Sequence, residues 1–141
     1  MSTKTVIDGD GLILGRMSST VAKRLLQGET IDIVNAEKIV VSGKKNMIIK
    51  KNKEFLGVGG HQRGPFHYRQ PHRYVKKTIR GMLPHRKEPG IEAFRRLKVH
   101  IGIPEELEDA ELETMEKYHR TTLGNRYVTI GEIAESIGWR K

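Results

Sequence analysis

Short β-branched runs alternate with helical patterns through the first third of this chain, and that alternation restricts the fold more than any other feature. Thr5-Val6-Ile7 reads as a first strand. Met17, Val21 and Leu25 then recur every four residues until Gly28, the pattern of an amphipathic helix stopped by glycine. Ile31-Asp32-Ile33-Val34 gives a second strand and Lys38-Ile39-Val40-Val41 a third short apolar run. Ser42-Gly43 opens a lysine-rich helix, Lys44 to Leu56, with Ile48 and Phe55 predicted to face inward. Parallel strands need long crossovers, usually helical, so strand–helix–strand order predicts βαβ units on a mainly parallel sheet. The expected class is α/β.

A glycine-rich turn between a strand and a helix is also how dinucleotide folds cradle pyrophosphate. Here the spacing is Gly9-x-Gly11-x-x-x-Gly15, which departs from G-x-G-x-x-G, and Leu12-Ile13-Leu14 read as packed residues. Gly43-Lys44 fails the P-loop rule as well, with Lys38 at the first glycine position and Lys45 in place of Ser or Thr. At 141 residues the chain has no room for a separate substrate domain. No nucleophile, base and orienting acid stand out as a set, so the expectation is a protein without enzymatic activity, cofactor or small-molecule substrate.

The net charge of +9 is informative through its distribution. Residues 1–43 balance 5 Lys and Arg against 5 acids, residues 44–100 hold 16 against 3, and residues 101–141 hold 5 against 9. A solvated surface mixes the signs; a segregated positive block is the footprint of a polyanion partner. There is no cysteine, which fits a reducing, intracellular setting. No signal-peptide pattern and no membrane-length apolar run is present, so a soluble protein away from membranes is expected.

The basic block centres on Gly57 to Pro84. Its first half, Gly57–Gln70, interleaves glycines with arginine, histidine and aromatic rings and cannot build a core of its own. Arg63, Arg69 and Arg73 supply planar forks for phosphate, and glycines let backbone approach closely. Phe66, Tyr68 and Tyr74 either stack on unpaired bases or pack locally. His61, His67 and His72 invite a metal reading, but no cysteine accompanies them and the nearest acid in sequence is Glu54. His61, His67 and His72 are therefore read as polar contacts to RNA or to the fold, and no metal is expected. The loop is predicted to order on RNA.

Gln70-Pro71 then starts a helix with proline at its first position. Val75, Ile79 and Met82 share one face, while Arg73, Lys76, Lys77 and Arg80 follow i, i+3, i+4, i+7 spacing on another. His85, Arg86 and Lys87 form a basic turn; a shorter helix from Pro89 to Leu97 places Ile91, Phe94 and Leu97 inward and Arg95-Arg96 outward. Lys44, Lys45, Lys50 and Lys51 flank the block. Val99-His100-Ile101 is expected as a strand, residues 105–116 as an exposed acidic segment, partly helical or irregular, and residues 127–138 as a short strand and small helix.

These blocks resemble a known family. Ile79-Arg80-Gly81-Met82-Leu83-Pro84 followed by Arg96-Leu97-Lys98-Val99-His100-Ile101-Gly102-Ile103-Pro104 closely resembles the signature of the universal large-ribosomal-subunit protein thirteen family. Leu14-Gly15-Arg16, Val34-Asn35-Ala36-Glu37-Lys38 and Ser42-Gly43-Lys44-Lys45 resemble further family blocks in the expected order. Residues 63–69, Arg-Gly-Pro-Phe-His-Tyr-Arg, resemble the archaeal and eukaryotic branch, and the missing C-terminal helical extension of eukaryotic members favours an archaeal type. The resemblance spans roughly residues 5–104. It implies one ribosomal-protein domain over 1–141, a three-layer α/β/α fold around a small, mainly parallel sheet, and binding of large-subunit ribosomal RNA beside neighbouring ribosomal proteins during early assembly in the cytoplasm. Arg16 joins the candidate RNA contacts on this basis. The alternative is an RNA-binding regulatory or processing factor outside the ribosome.

Overall fold

The computed structural model describes residues 4–59, 67–123 and 126–140. Its elements run β1 (Lys4–Asp8), α1 (Leu14–Leu26), β2 (Thr30–Val34), β3 (Val40–Ser42), α2 (Lys45–Phe55), α3 (Pro71–Gly81), α4 (Glu88–Arg95), β4 (Leu97–Val99), β5 (Leu112–Glu113), β6 (Tyr127–Thr129) and α5 (Ile130–Ser136). Four strands make a parallel sheet in the order β4-β2-β1-β5. β3 and β6 form a separate antiparallel pair. The fold is α/β with a mainly parallel sheet.

Because strand side chains alternate between faces, the register sorts the core. Ile7 lies opposite Ile33, Ile31 opposite Leu97 and Ile33 opposite Val99. This face joins Met17, Val21 and Leu25 of α1 and Val75 and Ile79 of α3 in the main hydrophobic cluster. α1 packs against both α3 and α4. The opposite face is covered more thinly: Val6 and Val34 meet Leu107, which a short helical turn at Glu105–Leu107 supplies. Asp32 is buried on this side, with His100 Nε2 3.4 Å and Lys4 Nζ 3.9 Å from its Oδ2.

The turn after β1 is filled by protein. Leu12, Ile13 and Leu14 are buried, and a Cβ on Gly9 would stand 2.8 Å from Ile39 and 2.9 Å from the Val34 carbonyl. Gly9 is there so that β1, β2 and Ile39 can close on one another, and a pyrophosphate has no cradle.

Several local expectations change. Phe55 is 39% exposed, and α2 buries no residue completely; only Ile48 packs on the core. Met82 is 42% exposed because α3 ends at Gly81, and Leu83 takes its place inside. Ile91 is exposed, α4 presents Gly90 and Ala93 to the interior, and Leu97 belongs to β4. β4 ends at Val99 and leaves Ile101 exposed. The acidic segment contributes β5, which extends the sheet along β1 and is held by a bidentate pair from Arg24 to Glu113 at 3.2 and 3.1 Å. α5 begins at a capping box in which Thr129 and Glu132 exchange bonds of 3.2 and 3.3 Å.

Candidate nucleic-acid interface

Pro71 occupies the first turn of α3, where its missing N–H costs nothing, and Val75 and Ile79 fix the helix on the core with no exposed surface. The remaining faces carry its cations. Tyr68, His72, Arg73, Lys76, Lys77, Arg80 and Phe94 line a groove of about 420 Å³. It continues into one of about 380 Å³ that shares Lys76, Arg80 and Phe94 and adds His85, Ile91 and Arg95. The two form one trough between α3 and α4, with no carboxylate in its lining.

The placement of α4 depends on Gly90, where a Cβ would collide with the Pro84 carbonyl. Only glycine lets α4 cross the turn after α3 this closely, and that crossing sets Phe94 against Lys76. Lys76 Nζ lies 5.0 Å from the Phe94 ring centroid; Lys77 Nζ lies 4.9 Å from Phe55 and 5.8 Å from Tyr68. Among the described residues, none of Arg73, Lys76, Lys77, Arg80 or Arg95 forms an ion pair. Ring faces partly stabilise ammonium groups, but like charges this close repel, and a polyanion is what relieves them. His72 reports the same field. Its pKa is held below the ordinary 6.5, chiefly by desolvation, then by Arg73, Lys76 and His100.

The other sequence candidates occupy several settings. Lys44, Lys45, Lys50 and Lys51 are exposed on and before α2, and Lys45 makes only a loose 3.8 Å pair with Glu132. Arg16 is exposed in the first turn of α1, and Arg86 and Lys87 are exposed between α3 and α4. Arg69 is exposed and lies beside Gly138, after α5. His67 bonds the Val58 carbonyl at 2.8 Å, and His85 lies 3.2 Å from the Arg80 carbonyl, so both brace local backbone. Arg96 corrects its expectation. It turns inward, and its Nη2 donates to the Leu25 carbonyl at 2.5 Å, beside the bond that carbonyl accepts from the Gly28 N–H at the end of α1. His61, Arg63 and Phe66 lie outside the described residues.

His72, read with His61 and His67 as a polar contact to RNA or the fold, lies in the trough, and Phe94 and Ile91 line it without having been binding candidates. His72 sits four residues before Lys76, a helical spacing that put it on the cationic face. Phe94 gave no such signal, since a phenylalanine three residues after Ile91 reads as core.

The family model described as ribosomal protein L13 matches residues 2–106. The chain belongs to the ribosomal protein L13 family. Curated relatives named large ribosomal subunit protein uL13 extend the match beyond residue 106. The protein of Archaeoglobus fulgidus is 46% identical over 138 residues, covering 96% of this chain and 88% of its own. That of Methanococcoides burtonii is 46% identical over 135 residues, covering 95% and 97%, and that of Aeropyrum pernix 40% over 139, covering 96% and 90%. This L13-family chain is of the archaeal type. The family match ends as the basic block gives way to the acidic segment, whereas the relatives continue through β5, β6 and α5.

Proposed function

We infer that this protein is a structural constituent of the large ribosomal subunit and that it binds large-subunit ribosomal RNA through the α3–α4 trough. Membership of a family of structural ribosomal proteins sets catalysis aside. The observation that carries the binding reading is the row Arg73, Lys76, Lys77, Arg80 and Arg95, free of ion pairs among the described residues and arranged around Phe94 on helices locked to the core. Phosphates neutralise the row, and release of their counterions dominates affinity. Lys44, Lys45, Lys50, Lys51, Arg16, Arg69, Arg86 and Lys87 extend the positive surface, and His61 and Arg63 belong to the same basic block by sequence. The chain acts as one unit in which residues 44–100 face RNA. Binding comes early in assembly, because a scaffold with fixed charges needs no partner protein to present them. The working place is the cytoplasmic ribosome.

Sucrose-gradient sedimentation separates this reading from that of a regulatory or processing factor acting outside the ribosome. The protein is expected to co-sediment with large subunits and to stay with them until high salt strips it. A protein confined to the top of the gradient overturns the ribosomal role.

A further inference from the structure

A second cavity, of about 290 Å³, opens where α2 meets α3, and it shares two wall residues, Tyr68 and Lys77, with the trough. Phe55, Tyr74, Asn52 and His67 complete the part that matters here. We propose that this cavity receives a single unstacked nucleobase of the bound RNA while that nucleotide's phosphate lies on Lys77 and the adjoining trough; the inference rests on the trough being the RNA surface.

Four features converge on a base. The walls offer three rings, and Phe55 keeps 39% of its surface exposed at a position where a core residue would be covered. Its ring is held by edge contact with His67, with centroids 4.6 Å apart and planes at 90°. Aromatic faces held this way are how proteins capture bases splayed out of an RNA helix. Lys77 places a positive charge 4.9 Å from Phe55 and 5.8 Å from Tyr68, so the phosphate anchor and the stacking surface lie within one nucleotide of each other.

The polar complement fits as well. Asn52 Nδ2 donates to the Ile48 carbonyl at 2.8 Å, and Asn52 Oδ1 accepts from the Tyr74 hydroxyl at 3.2 Å. This fixes the amide, while its second N–H stays available to a base edge. His67 Nδ1 is buried with no hydrogen-bond partner among the described residues, and a buried polar atom in that condition is costly until something pairs with it. Finally, about 290 Å³ sits at the lower end of the roughly 300–1,000 Å³ range of small-ligand pockets, a size that suits one base. No carboxylate lines the cavity, which argues against a basic peptide as occupant.

The test uses the full chain with large-subunit ribosomal RNA transcribed from the Archaeoglobus fulgidus sequence. Filter binding is measured from 50 to 200 mM salt for wild type and for Phe55→Leu, which keeps apolar volume and loses the ring. The expected result is a roughly 5- to 150-fold loss of affinity, the range for one base–aromatic stack, with the slope of log affinity against log salt unchanged. Transcripts carrying sparse 4-thiouridine or 6-thioguanosine should crosslink to peptides containing Phe55, Tyr68 or Tyr74. Phe55→Leu at wild-type affinity, with no crosslink on a peptide containing Phe55, overturns the base pocket and leaves the trough standing. Phe55→Leu that melts earlier but binds normally also overturns it, since the ring would then serve the fold alone. Wild type with no salt-dependent RNA binding removes the trough reading and this inference together.

Discussion

α2 and α3 are both basic helices of eleven residues, yet they relate to the core in opposite ways. α3 buries Val75 and Ile79 completely and lifts Arg73, Lys76, Lys77 and Arg80 from a fixed base. α2 buries no residue completely, and its lysines ride on Ile48, the Asn52–Tyr74 hydrogen bond and loose contacts such as Lys45 with Glu132. The same charge therefore has two physical meanings. On α3 the entropy of positioning is met at folding, so phosphates encounter a preformed row. On α2 long flexible side chains must be ordered at binding, at about 0.5–1.5 kcal/mol for each one immobilised. Charge count alone would rate the two helices alike; anchoring separates them.

The comparison breaks most sharply at the anchors. Ile79→Ala leaves a cavity in the main cluster and should cost about 2–5 kcal/mol in urea unfolding. Ile48→Ala on α2 should cost on the order of 1 kcal/mol, since its side chain is only partly covered. Equal losses would show that α2 is anchored as firmly as α3. The next effect is on binding. Replacing Arg73, Lys76, Lys77 and Arg80 together with glutamine should lower the slope of log affinity against log salt by about 3 to 4. Replacing Lys45, Lys50 and Lys51 should change it by clearly less per charge removed; matching changes per charge would show that anchoring does not separate the two helices.

A smaller effect is the pH dependence set by His72. Its folded pKa lies below 6.5, so the unfolded chain binds a proton more readily. Stability is then fully present above about 6.5 and falls as pH drops through the lowered folded value. His72→Gln should flatten that decline in thermal melts between pH 7.5 and 5, and an unchanged profile would show that another group dominates. The smallest expected change is at the Lys45–Glu132 pair, where both side chains are about half exposed. Lys45→Met should alter stability by less than about 1 kcal/mol, and a larger loss would mark α2 as tied down through α5.

Much of this was legible in the residues. The four-residue spacing of Met17, Val21 and Leu25 predicted a buried helical face, and all three have no exposed surface. Strand–helix alternation predicted parallel pairing, which β1 and β2 show over five residues. Arg73, Lys76, Lys77 and Arg80 were placed on one helix face by spacing alone; all four line the trough, and Lys76 and Arg80 line both of its parts. Periodicity failed where elements were too short to have a period. β5 is two residues long, and nothing in an acidic stretch marks Leu112 and Glu113 as a parallel partner of β1. It also failed at helix ends, where Met82 and Ile91 kept the spacing of core residues after the helix had stopped or turned its other side inward.

The α/β class, the segregation of positive charge into residues 44–100 and the family resemblance were all readable along the chain, because each depends on local pattern or on composition. Which cations are anchored and which are tethered was settled by packing. It turned Arg96 to the end of α1 while leaving Arg95 in the trough, and it brought Phe94 beside Lys76 across the Gly90 crossing. Those outcomes hang on contacts between residues far apart in sequence, where burial and close backbone approach are settled by packing, and local spacing carries no information about them.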